Sequence, residues 1–171
     1  MVLIPHGIQI YCSEITDEHF DDLNYAYNNN THEGIQYTGA RVDRVSGYKF
    51  RSDKTELVLN HAREYLNSIG NSYKQISVLS QWINVTQDLG YLGPHTHNGN
   101  ISYAIYLEVP NDSALIHFQL NATSNSLFSD LMTLTPKKKM ILMFPSEIVH
   151  YVNEYSGNSK RVSVSGNITV L

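Results

Sequence analysis

From Lys74 onward the chain is one strand-like segment after another, with no helical segment between them. That pattern excludes folds built on βαβ crossovers. The segments "KQISVLSQWINVTQ", "NISYAIYLEV", "SALIHFQLNA", "LMTLTP", "KKMILMFP", "EIVHYVN" and "KRVSVSGNITVL" are rich in β-branched and aromatic residues. Gly, Pro, Asn, Asp and Ser punctuate them. Six or seven strands in this arrangement predict a sandwich or jelly roll. Helical signals are confined to the first half. "ITDEHFDDLNYAYNN" places Thr16 as a cap, acids in the first turn, and Phe20, Leu23 and Tyr27 at helical spacing. "SDKTELVLNHAREYLNSIG" starts at a Ser52 or Asp53 cap and buries Leu57, Val58, His61, Ala62 and Leu66. It stops at Gly70.

The expected fold class is mainly β with N-terminal helices. The 171 residues suit a single domain, with helical support over about 1–73 and a β core over about 74–171. Hydrophobic residues make up 42% and charged residues 16%, so the chain buries a core rather than staying disordered. The net charge of −4 gives no general attraction to nucleic acid or anionic membrane. The one basic run, "PKKK" at Pro136 to Lys139, is expected to be a hairpin turn. Cys12 is the only cysteine, so no internal disulfide forms. "MVLIPHGIQIYC" has neither a basic leader nor a long apolar stretch, and a reducing, cytoplasmic location is expected. Between the helices, the segment from Gly34 to Arg51 is expected to be a loop with short extended pieces. Arg41 and Arg44 in it are candidate substrate contacts.

"YLGPHTHNGN" holds the first candidate site. In extended backbone, residues i and i+2 point to the same side, so His95 and His97 can face one metal ion. A polar turn with two exposed histidines has the same sequence. His150, in the apolar segment "MILMFPSEIVHYVN", has the strand parity of Ile148 and Val152 and supplies a third imidazole. The last segment alternates cleanly. Val162, Val164, Ile168 and Val170 fall on one face, and Arg161, Ser163, Ser165, Asn167 and Thr169 on the other. If the polar face lines a pocket, Arg161 offers a two-pronged donor for a carboxylate, with Ser163 beside it. Trp82, Asn84 and Thr86 also share a face, from which Asn84 either meets a ligand or satisfies backbone groups. Tyr106 shares a face with the small residues Ser102 and Ala104, with its hydroxyl expected either at a rim or toward a ligand. Asn167 is the polar end of the Arg161 face.

The order "QWINV", "GYLGPHTHNGNISYAIYLEVP", "LMFPSEIVHYV" and "KRVSVSGNI" resembles the non-haem iron(II), 2-oxoglutarate-dependent oxygenases. It is most similar to the small prolyl-hydroxylase-like branch found in bacteria and tailed phages. The resemblance runs from about Leu79 to Ile168. It implies a double-stranded β-helix, a jelly-roll or cupin-like fold, with Fe(II) held at its open end and 2-oxoglutarate as cosubstrate. His95 matches the first metal histidine and His150 the distal one. Arg161 matches the base that pairs with the far carboxylate of 2-oxoglutarate, and Ser163 the hydroxyl beside it. His97 occupies the position where the usual facial triad has a carboxylate. The implied reaction consumes 2-oxoglutarate and O2, releases succinate and CO2, and hydroxylates a substrate, with peptidyl proline as one candidate. Two other readings stay open on the residues alone. One is a three-histidine metal dioxygenase that does not use 2-oxoglutarate. The other is a non-enzymatic jelly-roll binding module.

Overall fold

The two faces of the closing strand set the architecture, because each must be covered by something different. In this computed structural model, which describes residues 2–3, 8–29, 35–36, 43–46, 52–87, 89–110, 115–120, 131–155 and 159–171, the elements in chain order are β1 (Val2–Leu3), β2 (Gln9–Glu14), α1 (Asp17–Asn29), β3 (Ile35–Gln36), β4 (Asp43–Ser46), α2 (Ser52–Ser68), β5 (Ile76–Thr86), β6 (Gly90–His95), β7 (Ile101–Glu108), β8 (Ile116–Gln119), β9 (Leu131–Leu134), β10 (Met140–Pro145), β11 (Val149–Tyr155) and β12 (Arg161–Val170). Every strand pairing is antiparallel. The strands form an eight-stranded sheet in the order β1-β2-β10-β7-β12-β5-β4-β3 and a four-stranded sheet in the order β6-β11-β8-β9. From β5 to β12 the chain winds back and forth between the two sheets. This is the double-stranded β-helix.

One core lies between the large sheet and the helices. Phe20 and Leu23 of α1 and Val58, Ala62 and Tyr65 of α2 pack there with Ile105, Val162 and Val164. A second core lies between the two sheets, where Tyr106, Leu142 and Phe144 meet Phe118, Ile148 and Val152. The apolar face of β12 therefore covers the helical layer, and its polar face turns inward between the sheets. Gly166 is the tight point of this strand. A Cβ there would lie 2.4 Å from the Ser80 carbonyl oxygen and 2.5 Å from the Tyr103 hydroxyl. Gly166→Ala is expected to destabilise the protein by about 1–3 kcal/mol through overpacking. The shift of its urea midpoint measures this, and an unchanged midpoint would show that the Ser80 backbone and Tyr103 both yield freely.

The helices begin and end as their residues dictate. The Thr16 hydroxyl accepts from the His19 backbone N–H at 3.3 Å, and Asp17 and Glu18 fill the first turn of α1. At the end of α2, Gly70 takes φ +68°. The N–H groups of Gly70 and Asn71 then reach the carbonyls of Asn67 and Leu66 at 3.1 and 3.0 Å. The proposed capping of α2 by Ser52 or Asp53, Arg41 and the side chain of Arg44 lie outside the described residues.

Three expectations change. The N-terminal part is not only helical, because β1 to β4 extend the large sheet at both edges. "GYLGPH" is a strand of the small sheet rather than a turn. "PKKK" makes no hairpin, since β9 and β10 belong to different sheets and the turn carries the chain from one to the other. The turn is also not simply solvated. Lys138 and Lys139 lie over the Phe20 ring, 4.8 and 5.4 Å from its centroid, and Lys139 pairs with Asp17.

Candidate metal and cosubstrate site

The small sheet builds two-thirds of the histidine cluster. His95 ends β6, His150 is the second residue of β11, and the two are direct cross-strand partners. Their ring centroids are 4.3 Å apart. His97 lies just beyond β6, with ring centroids 4.8 Å from His95 and 5.0 Å from His150. One ligand atom from each of the three lies within 4.8 Å of the others. The Nδ1 atoms of His95 and His150 face the carbonyl oxygens of Gly93 and Ile148 at 2.8 and 3.0 Å. A carbonyl only accepts, so each Nδ1 carries the proton and each neutral ring keeps its lone pair on Nε2. His150 is buried against the Phe118 and Phe144 rings. Burial, and secondarily the neighbouring His95, push its pKa down to about 4, so it is neutral at pH 7.

Among the described residues no carboxylate joins the cluster. Glu108 lies 3.6 Å from Lys160, Glu147 is exposed, and Asp88 falls outside the described residues. His117 stacks on Tyr151 at 4.6 Å and bonds Thr133. His19 bonds Thr16, and His61 bonds Tyr11.

The inward face of β12 carries the second group. Arg161 and Ser163 are buried and stand opposite Thr86 and Asn84 of β5, and Ser163 also stands opposite Tyr106 of β7. Direct partners in a sheet point the same way, so Arg161, Ser163, Asn84 and Tyr106 share one surface. The Arg161 guanidinium lies over the Tyr106 ring, 5.1 Å from its centroid. The Tyr106 hydroxyl is not at a rim but fully buried, without a well-formed hydrogen-bond partner among the described residues. Burial raises its pKa, and the nearby guanidinium opposes that rise. Asn84 donates to Ser165 at 3.2 Å. Asn167, farther along β12, has both ends of its amide engaged, accepting from Ser102 at 2.9 Å and donating to Ser80 at 3.1 Å.

The family model described as "Putative 2OG-Fe(II) oxygenase" matches residues 80–167, which span every one of these groups. The chain belongs to the 2OG-Fe(II) oxygenase family. The oxygenase is an enzyme that uses Fe(II) and 2-oxoglutarate. No curated protein matches its sequence.

Solved structures share the oxygenase's fold at low identity. The viral collagen prolyl hydroxylase from Paramecium Bursaria Chlorella virus-1, in complex with 2-oxoglutarate, is 12% identical with a TM-score of 0.64, covering 93% of this chain and 94% of its own. A prolyl-4-hydroxylase from Pseudomonas putida is 11% identical with a TM-score of 0.66, covering 95% and 92%. HygX from Streptomyces hygroscopicus, with nickel, 2-oxoglutarate and hygromycin B bound, is 10% identical with a TM-score of 0.69, covering 95% and 83%.

The oxygenase's own residues fit both groups. Three convergent imidazoles, two of them held as Nε2 donors, suit a divalent first-row metal. A buried guanidinium, the unsatisfied Tyr106 hydroxyl and Ser163 are a donor set for a carboxylate. Sequence reasoning assigned no site role to Trp82, whose ring lies 5.3 Å from that of His97, nor to Ser102 and Ser146, whose hydroxyls are hydrogen-bonded to each other. The parity of Trp82 with Asn84 was the available signal. The two serines carried none, because a lone serine, whether in a strand like Ser102 or a turn like Ser146, is unremarked until its partners are known.

Proposed function

We propose that the oxygenase hydroxylates a C–H bond of a bound substrate, with peptidyl proline as the substrate class and the chain acting as a single oxygenase domain. One oxygen atom of O2 enters succinate, the other enters the substrate, and CO2 leaves. His95, His97 and His150 hold the metal. Arg161, with Ser163 and Tyr106, binds the far carboxylate of 2-oxoglutarate, and Asn84 and Asn167 line the same surface. The convergence of the three histidines, with ligand atoms within 4.8 Å of one another, carries the reading. The prolyl hydroxylases among the structural neighbours support the substrate class.

When bound, Fe(II) with 2-oxoglutarate supplies the oxidising chemistry for C–H attack. The protein's own contribution is geometry and environment. Backbone carbonyls orient two of the imidazoles, and burial keeps His150 unprotonated. Three neutral ligands leave the full 2+ charge on the ion, where a carboxylate would cancel one unit. The site therefore favours a doubly charged chelating cosubstrate. The inward Arg161 then offsets the charge at the cosubstrate's other end.

The test is succinate formation by purified protein given Fe(II), 2-oxoglutarate and O2, with and without proline-containing peptides. We expect turnover that a chelator abolishes and excess Fe(II) restores, and a peptide product one oxygen atom heavier. No succinate above the chelated control would defeat the proposal. Succinate without any modified proline would defeat the substrate class alone.

A further inference from the structure

We propose that a buried chain of polar side chains, Ser146–Ser102–Asn167–Ser80, is the positioning device for His97. The proposal rests on the reading of His97 as a metal ligand. His95 and His150 need no such device, because the β6–β11 pairing and their own carbonyl partners fix them. His97 lies past the end of β6, in a segment with no ladder of its own. Its backbone N–H donates instead to the carbonyl of Ser146 at 2.9 Å, in the turn that leads from β10 to His150. One short turn thus supports the third ligand and launches the second.

That turn is held from below. Ser146 and Ser102 are each 1% exposed, and their hydroxyls are 2.9 Å apart. Ser102 has one proton and gives it to Asn167 Oδ1 at 2.9 Å, so Ser146 must be the donor to Ser102. Asn167 Nδ2 continues the chain to Ser80 at 3.1 Å, and Ser80 is exposed. Each group has one direction of donation, and the chain ends at solvent with no proton missing. Such a fully satisfied buried network tolerates few alternative arrangements. Asn100 fastens the same loop to β12, donating to Ile168 O and accepting from Val170 N–H, both at 2.9 Å, while Ser146 N–H reaches Asn100 O at 3.1 Å. Gly99, at φ +100°, allows the close approach, since a Cβ there would lie 3.0 Å from Ile168 O.

Ser102→Ala breaks the chain in the middle, leaving a Ser146 donor and an Asn167 acceptor without partners. The test uses Co(II), whose visible spectrum reports ligand number and geometry without turnover. We expect Ser102→Ala to keep the wild-type far-UV circular dichroism, to bind Co(II) roughly 10–100-fold more weakly, and to show an altered Co(II) spectrum. Val58→Ala, a truncation in the helical layer on the other face of the large sheet, is the stability control and keeps both affinity and spectrum. Ser146→Ala, which removes only the first hydroxyl, repeats the comparison should Ser102→Ala fail to fold. Wild-type affinity and spectrum in the folded serine variant would overturn the proposal alone. So would an affinity loss matched by Val58→Ala. A wild-type protein that takes up no Co(II) overturns the metal-site reading itself.

Discussion

His150→Ala is expected to abolish 2-oxoglutarate-dependent succinate formation and to lower metal affinity by more than about 100-fold, beyond the loss typical of outer partners. The effect is large because nothing replaces this imidazole. It is 4% exposed, oriented by Ile148, and sits directly across from His95. The remaining pair, His95 and His97, supplies only two neutral ligands. Turnover and metal stoichiometry, measured on one preparation, check the expectation. A variant that keeps stoichiometric Fe(II) and wild-type turnover would remove His150 from the site.

Arg161→Ala is expected to raise the KM for 2-oxoglutarate by about 100-fold while leaving metal affinity in place. Breaking a buried charge pair typically costs ~2–5 kcal/mol, much of it the desolvation of the partner left behind. In the proposed binding mode that partner is the cosubstrate carboxylate, and the guanidinium that also covers Tyr106 is lost with the substitution. Arg161→Lys keeps the charge but not the planar fork, so an intermediate KM is expected. Titration with 2-oxoglutarate at saturating Fe(II) gives the values. An unchanged KM would favour a metal dioxygenase that takes its substrate without this cosubstrate.

The two groups were legible in the sequence to different depths. Strict alternation in "KRVSVSGNITVL" announced both faces of β12, because helices cover one side and a polar interior the other. The three histidines were legible through order and parity. "GYLGPH" was hidden because its two glycines and proline imitate a turn, although it pairs with β11 at the sheet's edge, where proline is tolerated. β2 was hidden for a different reason: "QIYCSE" is a short strand whose place beside β10 depends on a partner distant in sequence. The buried Tyr106 hydroxyl and the serine chain depend on contacts among three or four strands. No pattern within a single segment encodes them.

If His95 and His150 share the metal as proposed, their cross-strand pairing also ties metal loading to folding. β6 is an edge strand, and among the described residues only β11 holds it. With the proposed ligand set, an ion shared by these histidines would clasp that edge to residues far along the chain. Binding only the folded form, it would add about 2.7 kcal/mol of stability at a hundredfold excess over its dissociation constant. Loss of the ion would release the clasp at the edge first. Amide exchange and proteolysis at β6 would then track iron supply, making the catalytic centre a gauge of the protein's own integrity.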